Sequence, residues 1–407
     1  MTVGGTLILT VVPAAFGEVL VGLDIAHQLH ARGERVVFLA PRQHEILLRG
    51  APFRWGRIDL GMDRIDGVVQ AVLREQGCDT LLIVDITSTF LHLNVFQPQA
   101  RFPAGLDARL VGLDLWSLAE TELIWDLGAE RWRIPAQALQ IARLVPAPLA
   151  RPSVHGAYRA LPKTTAEQRQ AVRALRRAEL GLNEATRLVI TTGARWQQPE
   201  SQRQATHVRL SRSLPEILLH VIAKLGPQVR HIHVGPWPLA EAPPSTRLLP
   251  QVPPAEFHAL LSAADLLLCV NAAATSLVAA TAAGLPSVLL VNSYAGEPDE
   301  VASRLPGADP FLRGWLDRLG TLHRFRVCPL GLYELLAPVL HDNPYATTFS
   351  IVEMLEIEAV VAACSQLLFD AAAAQAMRER QASYWASLAS LPSALERFDA
   401  ARREASS

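Results

Sequence analysis

Four short segments carry side chains that could do chemistry, and each follows an apolar run. The first, Val12-Pro-Ala-Ala-Phe-Gly-Glu18, ends on a carboxylate at the start of a helical pattern. A helix N-terminus favours an ionised acid, so Glu18 reads as a general base or substrate anchor, or else as a capping acid. The second, Asp85-Ile-Thr-Ser-Thr89, puts an acid at the end of a strand of hydrophobes. Asp85 there either orients another catalytic group or caps the next helix. The third, Thr191-Thr-Gly-Ala-Arg195, offers Thr192, the Gly193 backbone and the Arg195 guanidinium to a phosphate; the plain alternative is a turn. The fourth, Asn271-Ala-Ala-Ala-Thr-Ser276, opens a helix that ends at Gly284-Leu-Pro286. Its small residues admit a ligand to the backbone near Ala273, with Thr275 and Ser276 as donors to an anion, or they simply pack the helix tightly on a sheet.

Strands and helices must hold these loops. Apolar runs alternate with helical patterns along the chain, the signature of βαβ units and a parallel sheet. Strands are predicted at Leu7–Val12, Arg35–Ala40, Thr80–Asp85 and Arg109–Leu113 in one series. A second series falls at Arg187–Thr192, Arg230–Val234, Arg247–Leu249, Leu266–Val270 and Ser287–Val291. Helices are predicted at Glu18–Arg32, Ala166–Gly181, Ser213–Leu225, Ala255–Ala263 and Thr275–Ala283, with one long apolar stripe over Glu353–Leu395. The proline-rich stretch 146–164 reads as a linker and an irregular crossing, and 296–350 is the least periodic part. In doubly wound sheets ligands sit at the carboxyl ends of the strands, which is where all four loops fall.

With 407 residues, 50% of them hydrophobic, the chain exceeds one core, and two domains are expected. Lys and Arg number 38 against 39 Asp and Glu, a net charge of -1 that gives no reason to expect a nucleic acid or an anionic membrane. Cys78, Cys269, Cys328 and Cys364 form no CxxC pair and read as buried thiols in a reducing cytoplasm, with no metal site. No apolar stretch reaches the roughly 18 residues of a membrane span. In the stretch 326–358, which the motifs leave out, Val327-Cys-Pro-Leu-Gly331 and the polar cluster His341-Asp-Asn-Pro-Tyr345 read either as a site to which function has moved or as turn chemistry.

At these residues the sequence resembles the antibiotic-type glycosyltransferases of the GT-B fold. Residues 7–36 are similar to that family's strand, glycine loop, helix and Arg-Gly turn, here with Gly17-Glu18 and Arg32-Gly33-Glu34. Cys78-Asp79-Thr-Leu-Leu-Ile-Val-Asp85 looks like its acid-ended strand. Leu249-Pro-Gln251-Val-Pro253, Leu260-Leu-Ser-Ala-Ala-Asp265 and Asn271–Pro286 follow its donor-domain motif, and Leu368-Phe-Asp370 begins a likeness to its C-terminal helix. The likeness leaves out roughly 115–150 and 300–350.

The resemblance implies an α/β fold of two Rossmann-like domains facing across a cleft, with a C-terminal helix packing back on the N-terminal domain. It implies an acceptor-side domain over 1–150, a crossing over 151–185, a nucleotide-donor domain over 186–370 and a returning helix over 371–407. Glu18, helped by Asp85, would be the base. Thr192, Gly193, Arg195, Gln251, Asn271, Ala273, Thr275, Ser276 and Glu297 would line the donor. The family's catalytic His is Glu18 here, its His-Gly-Gly is Asn271-Ala272-Ala273, its Asp-Gln pair is Gly296-Glu297, and its Glu after the phosphate loop is Ala279. The expected function is inverting transfer of a sugar from a nucleotide donor to a small or carrier-bound acceptor in bacterial specialised metabolism. No metal or resident cofactor is needed, and a second copy of the chain is allowed as a partner. The alternative is a GT-B protein without sugar transfer, either acting on other nucleotide- or carrier-linked substrates or serving as a silent partner protein.

Overall fold

The computed structural model describes residues 4–13, 16–115, 122–124, 131–133, 138, 140–160, 166–237, 243–307 and 309–405. The chain divides into two compact units. One comprises residues 1–124, 130–161 and 388–407, the other 125–129 and 162–387.

The sheet of the first unit contains β1 (Gly5–Leu9), β2 (Val36–Ala40), β3 (Arg54–Arg57), β4 (Cys78–Ile83), β5 (Arg109–Leu113), β8 (Ala142–Ala147) and β9 (Ala157–Arg159). Their order is β3-β2-β1-β4-β5-β8-β9, and every pair is parallel. Two three-residue strands, β6 (Glu122–Ile124) and β7 (Arg131–Arg133), pair antiparallel with each other as a separate ribbon. Strands of a parallel sheet are covered on both faces, which is why β1 and β2 are wholly buried and read as continuous hydrophobes. Ile8, Phe38 and Leu82 form one core with Val19, Ile25 and Leu29 of the helix Phe16–Ala31.

The last helix, Ala394–Glu404, joins that core through Phe398 and Ala401. A capping box between Ser393 and Glu396 starts it, and Arg402 reaches the buried Glu34 at 3.0 Å. The Arg32-Gly33-Glu34 turn therefore anchors the end of the chain: Arg32 pairs with Asp399 and Glu34 with Arg402. The C-terminal helix packs back on the N-terminal sheet, as the resemblance implies.

The second unit holds β10 (Arg187–Thr192), β11 (Val229–Val234), β12 (Thr246–Leu249), β13 (Leu266–Cys269), β14 (Ser287–Val291) and β15 (Ser350–Glu353). Their order is β12-β11-β10-β13-β14-β15, again all parallel. Both sheets thus start in the middle, run outward to one edge, and return to build the other half. The reversal lies between β1 and β4 in one and between β10 and β13 in the other. Those are the topological switch points where doubly wound sheets leave a crevice.

Several elements differ from the sequence reading. Residues 146–164 are not simply an irregular crossing: Ala147 ends β8, and β9 at 157–159 forms the sheet edge. The prolines of this stretch stay out of that edge strand: β9 is Ala157-Tyr158-Arg159, and Pro146 lies in its neighbour β8. The helix read as Ser213–Leu225 spans Ala205–Lys224 with Pro215 inside it. The least periodic region, 296–350, runs into a strand that the sequence reading did not place: β15, whose Ser350–Glu353 backbone pairs with β14 although its side chains are partly exposed. The single stripe over 353–395 is broken into helices Ile357–Phe369, Ala371–Ser387 and Ala394–Glu404. At 341–345, Asn343 caps a short 3-10 helix by accepting the Tyr345 N–H at 3.1 Å, and Tyr345 is a core residue packed on Phe349 and Tyr384.

Candidate functional site

In the first unit, the loops after β1 and β4 flank the switch point. Glu18 lies in the first turn of the helix Phe16–Ala31 and is half-buried. Residues 14 and 15 of its loop lie outside the described residues. The loop is pinned by a residue that the sequence reading did not single out. His44, fully buried, donates Nε2–H to the Val12 carbonyl at 2.9 Å and takes the Phe16 ring edge-on at 4.7 Å. The tautomer follows because a carbonyl only accepts. The only sequence signal for His44 is its place just after β2.

Asp85 sits just beyond β4 with φ 57°, a left-handed conformation that Asp tolerates better than most residues. Its side chain accepts the Ser88 N–H at 3.0 Å and so caps the helix Ile86–Phe96. The Glu18 carboxyl is pushed up to about 7, first by desolvation and then by the negative charge of Asp85, against the pull of its own backbone N–H. Asp85 is thus a cap and an electrostatic neighbour of Glu18 at once. A carboxyl poised near neutrality can take a proton from a hydroxyl and give it up again.

In the second unit, a hydrogen bond of 3.2 Å between Thr192 Oγ1 and Ser276 Oγ joins the loops after β10 and β13. Arg195 is exposed and meets no acidic partner among the described residues. No side chain caps the helix Thr275–Ala282. The structure corrects two expected donors. The Gly193 N–H is spent on Val234 O at 3.0 Å, and the Ala273 N–H on Asn271 Oδ1 at 2.8 Å. Gly193 is glycine for packing: a Cβ there would lie 2.8 Å from Pro236 O and 2.9 Å from His233 Nε2. Asn271 holds its own loop. Gln251, half-buried, and Glu297, exposed, stand on the loops after β12 and β14. Glu297 accepts the Thr321 hydroxyl at 2.7 Å, and among the described residues no side-chain bond ties either residue to the switch-point loops.

Behind these loops runs an ordered relay. His233 Nε2–H donates to Pro236 O at 3.1 Å, so its Nδ1 accepts the Thr191 hydroxyl at 2.8 Å. Thr191 in turn accepts His231 Nε2–H at 2.8 Å, and His231 Nδ1 accepts from Thr246 at 3.1 Å. Burial pushes His231 down to about 3 and His233 to about 4, so both are neutral members of a structural chain.

A further segment, 325–331, lies along the second switch point. Ala272 N–H donates to Arg326 O at 2.9 Å and Cys328 N–H to Val270 O at 3.1 Å. Gln197 Nε2 donates to Cys328 O at 2.8 Å, which ties the β10 loop to the same segment. Among the described residues no group of three His, Cys, Asp or Glu is placed to hold a metal ion. No single described helix is long and apolar enough to cross a membrane.

A family model described as "Family of unknown function (DUF6365)" matches residues 25–406. The chain belongs to that family. No curated protein matches the DUF6365 chain in sequence. Solved structures do resemble it. Spinosyn forosaminyltransferase SpnP is 14% identical, with 99% of this chain and 100% of that one covered and a TM-score of 0.54. The Streptomyces sp. SF2575 glycosyltransferase SsfS6, complexed with thymidine diphosphate, is 14% identical over 100% of both chains at TM-score 0.51. A Listeria monocytogenes protein assigned as a UDP-N-acetylglucosamine 2-epimerase is 12% identical over 93% of this chain and 91% of that one, also at 0.51. At such identities the likeness establishes the fold, and this DUF6365 chain has the GT-B fold.

Proposed function

We propose that the protein is an inverting glycosyltransferase of specialised metabolism, acting in the cytoplasm on a small or carrier-bound acceptor. The observation that carries this reading is the Glu18 carboxyl, held at about 7 beside a switch point. In the proposed step Glu18 takes the proton of an acceptor hydroxyl. The freed oxygen pair bonds the anomeric carbon as that carbon's bond to a phosphate oxygen breaks. The nucleoside diphosphate leaves with the electron pair, and Arg195, Thr275 and Ser276 meet its charge. Thr192 and Asn271 shape that pocket wall, while Gln251 and Glu297 are assigned to the outer parts of the donor. A neighbour of the same fold is complexed with thymidine diphosphate, which supports a nucleotide-linked donor here.

One observation favours a second reading. The Gly193 and Ala273 N–H groups are consumed within the protein, so fewer backbone donors are left for a pyrophosphate. A GT-B enzyme acting on another nucleotide- or carrier-linked substrate would need fewer.

The test is turnover and binding with a panel of nucleotide sugars, for the wild type and Glu18→Gln. If Glu18 is the base, the variant keeps its ligand and loses roughly 100- to 10,000-fold in turnover. Unchanged turnover, with stability lower by about 1 kcal/mol, would make Glu18 a helix cap and sink the reading.

A further inference from the structure

Arg326 is a charged side chain with 6% of its surface exposed, in the segment beside the second switch point. Its Nη1 donates to Tyr333 O at 2.6 Å, and its guanidinium lies 4.2 Å from the centre of the Tyr333 ring. A neighbouring cation, Arg324, stacks on the same ring at 4.7 Å but is answered by Glu334 at 3.2 Å. Arg326 has no carboxylate partner among the described residues. A charge this deep is costly unless an opposite charge meets it. None of its nitrogen atoms is both sealed from solvent and without a partner. The N–H groups not used on Tyr333 O make no other hydrogen bond among the described residues and stay uncommitted.

The position is also fixed. The Arg326 carbonyl accepts the Ala272 N–H, and Val327 bridges Asn271, so the arginine backbone runs directly along the loop that leads to Thr275 and Ser276. That loop has spent its Ala273 N–H internally. We propose that Arg326, held against the Tyr333 ring, binds an oxyanion of the co-substrate and replaces the backbone donors that the loop has lost. The oxyanion is a phosphate of the leaving diphosphate or a carboxylate on the transferred group. A planar fork of N–H donors suits both. The inference rests on the nucleotide-donor reading, although the anion site would stand without sugar transfer.

Affinities of inorganic pyrophosphate, nucleoside diphosphates, a nucleotide-linked hexuronate and its neutral hexose counterpart should be measured by calorimetry. The proteins are the wild type, Arg326→Gln and Arg326→Lys. The Gln variant is expected to bind about tenfold or more weakly, since a hydrogen bond to a charged group is lost. Loss for pyrophosphate and diphosphates alike assigns the phosphate. Loss for the hexuronate alone assigns the carboxylate. Lys keeps the charge without the fork and should fall between. Folded Arg326→Gln that binds all four ligands like the wild type overturns the proposal. Should the Gln variant not fold, equal affinity of wild type and Arg326→Lys overturns it instead. Normal pyrophosphate binding with no turnover of any nucleotide sugar would defeat the transferase reading and leave this site intact.

Discussion

The negative charge of Asp85, just beyond β4, helps hold the Glu18 carboxyl of the neighbouring loop up at about 7. The two acids stand on the two loops that flank one switch point, and each also serves a helix N-terminus. This coupling gives the first prediction. Asn can cap a helix and tolerate positive φ as Asp does, so Asp85→Asn should fold normally. Without the like charge the Glu18 carboxyl ionises more easily. The acidic limb of the kcat/KM profile should move to lower pH, yet stay above the ordinary carboxylate range because desolvation remains the larger cause. A limb that does not move would separate Asp85 from the chemistry.

Glu18 also leaves a mark on stability. Its folded value of about 7 exceeds the ordinary 4.5, so between those values the folded chain binds more protons than the unfolded one. Its contribution is complete below 4.5 and is lost as pH rises through 7. Glu18→Gln should remove that loss, and the variant should gain on the wild type from pH 5 to pH 8 in denaturant titrations.

Arg195→Ala should weaken nucleotide diphosphate binding by more than about tenfold. Because Arg195 is exposed, stability should stay within about 0.5 kcal/mol of the wild type. Calorimetry and a thermal melt on the same sample read both. Unchanged affinity removes Arg195 from the donor site.

Acid should act through the buried histidines. Burial pushes His231 down to about 3, and His233 and His207 to about 4, below the ordinary 6.5. Below pH 6.5 the unfolded chain takes up protons that the folded chain refuses, so their contribution is lost as pH falls. Three histidines outweigh the opposing Glu18, and unfolding free energy should drop by roughly 2 kcal/mol or more from pH 7 to pH 5. Equal stability at the two pH values would refute this.

Asp265 binds Arg173 at 2.6 Å and Arg177 at 3.0 Å, and accepts the Leu188 N–H at 2.8 Å. Asp265→Ala takes the carboxylate from two partly buried cations, leaving them only backbone carbonyls, and takes the acceptor from a backbone donor at the start of β10. It should cost about 3 kcal/mol or more, read as a lower denaturant midpoint. A loss under about 1 kcal/mol would show that the arginines find other partners.

The βαβ framework is legible in the pattern of residues along the chain. Arg109–Leu113, Arg187–Thr192 and Ser287–Val291 were legible to the residue, because strands covered on both faces must be nearly continuous hydrophobes. The pattern also places the polar loops at strand ends, since its period fixes where each strand stops. Edges were less legible. Residues 157–159 and 350–353 carry little apolar signal because an edge strand is held by backbone pairing, which side-chain patterns do not report. Pro215 hid the first turns of its helix. Which groups of the loops remain available depends on contacts between residues far apart in the chain. Gly193 and Ala273 give their N–H groups to Val234 and Asn271, and Arg326 comes beside the Asn271 loop through a pairing between distant residues. A residue type states what a side chain or amide can bond, but its nearest neighbour in space decides whether it is already bonded, and those neighbours are set by packing rather than by spacing along the chain.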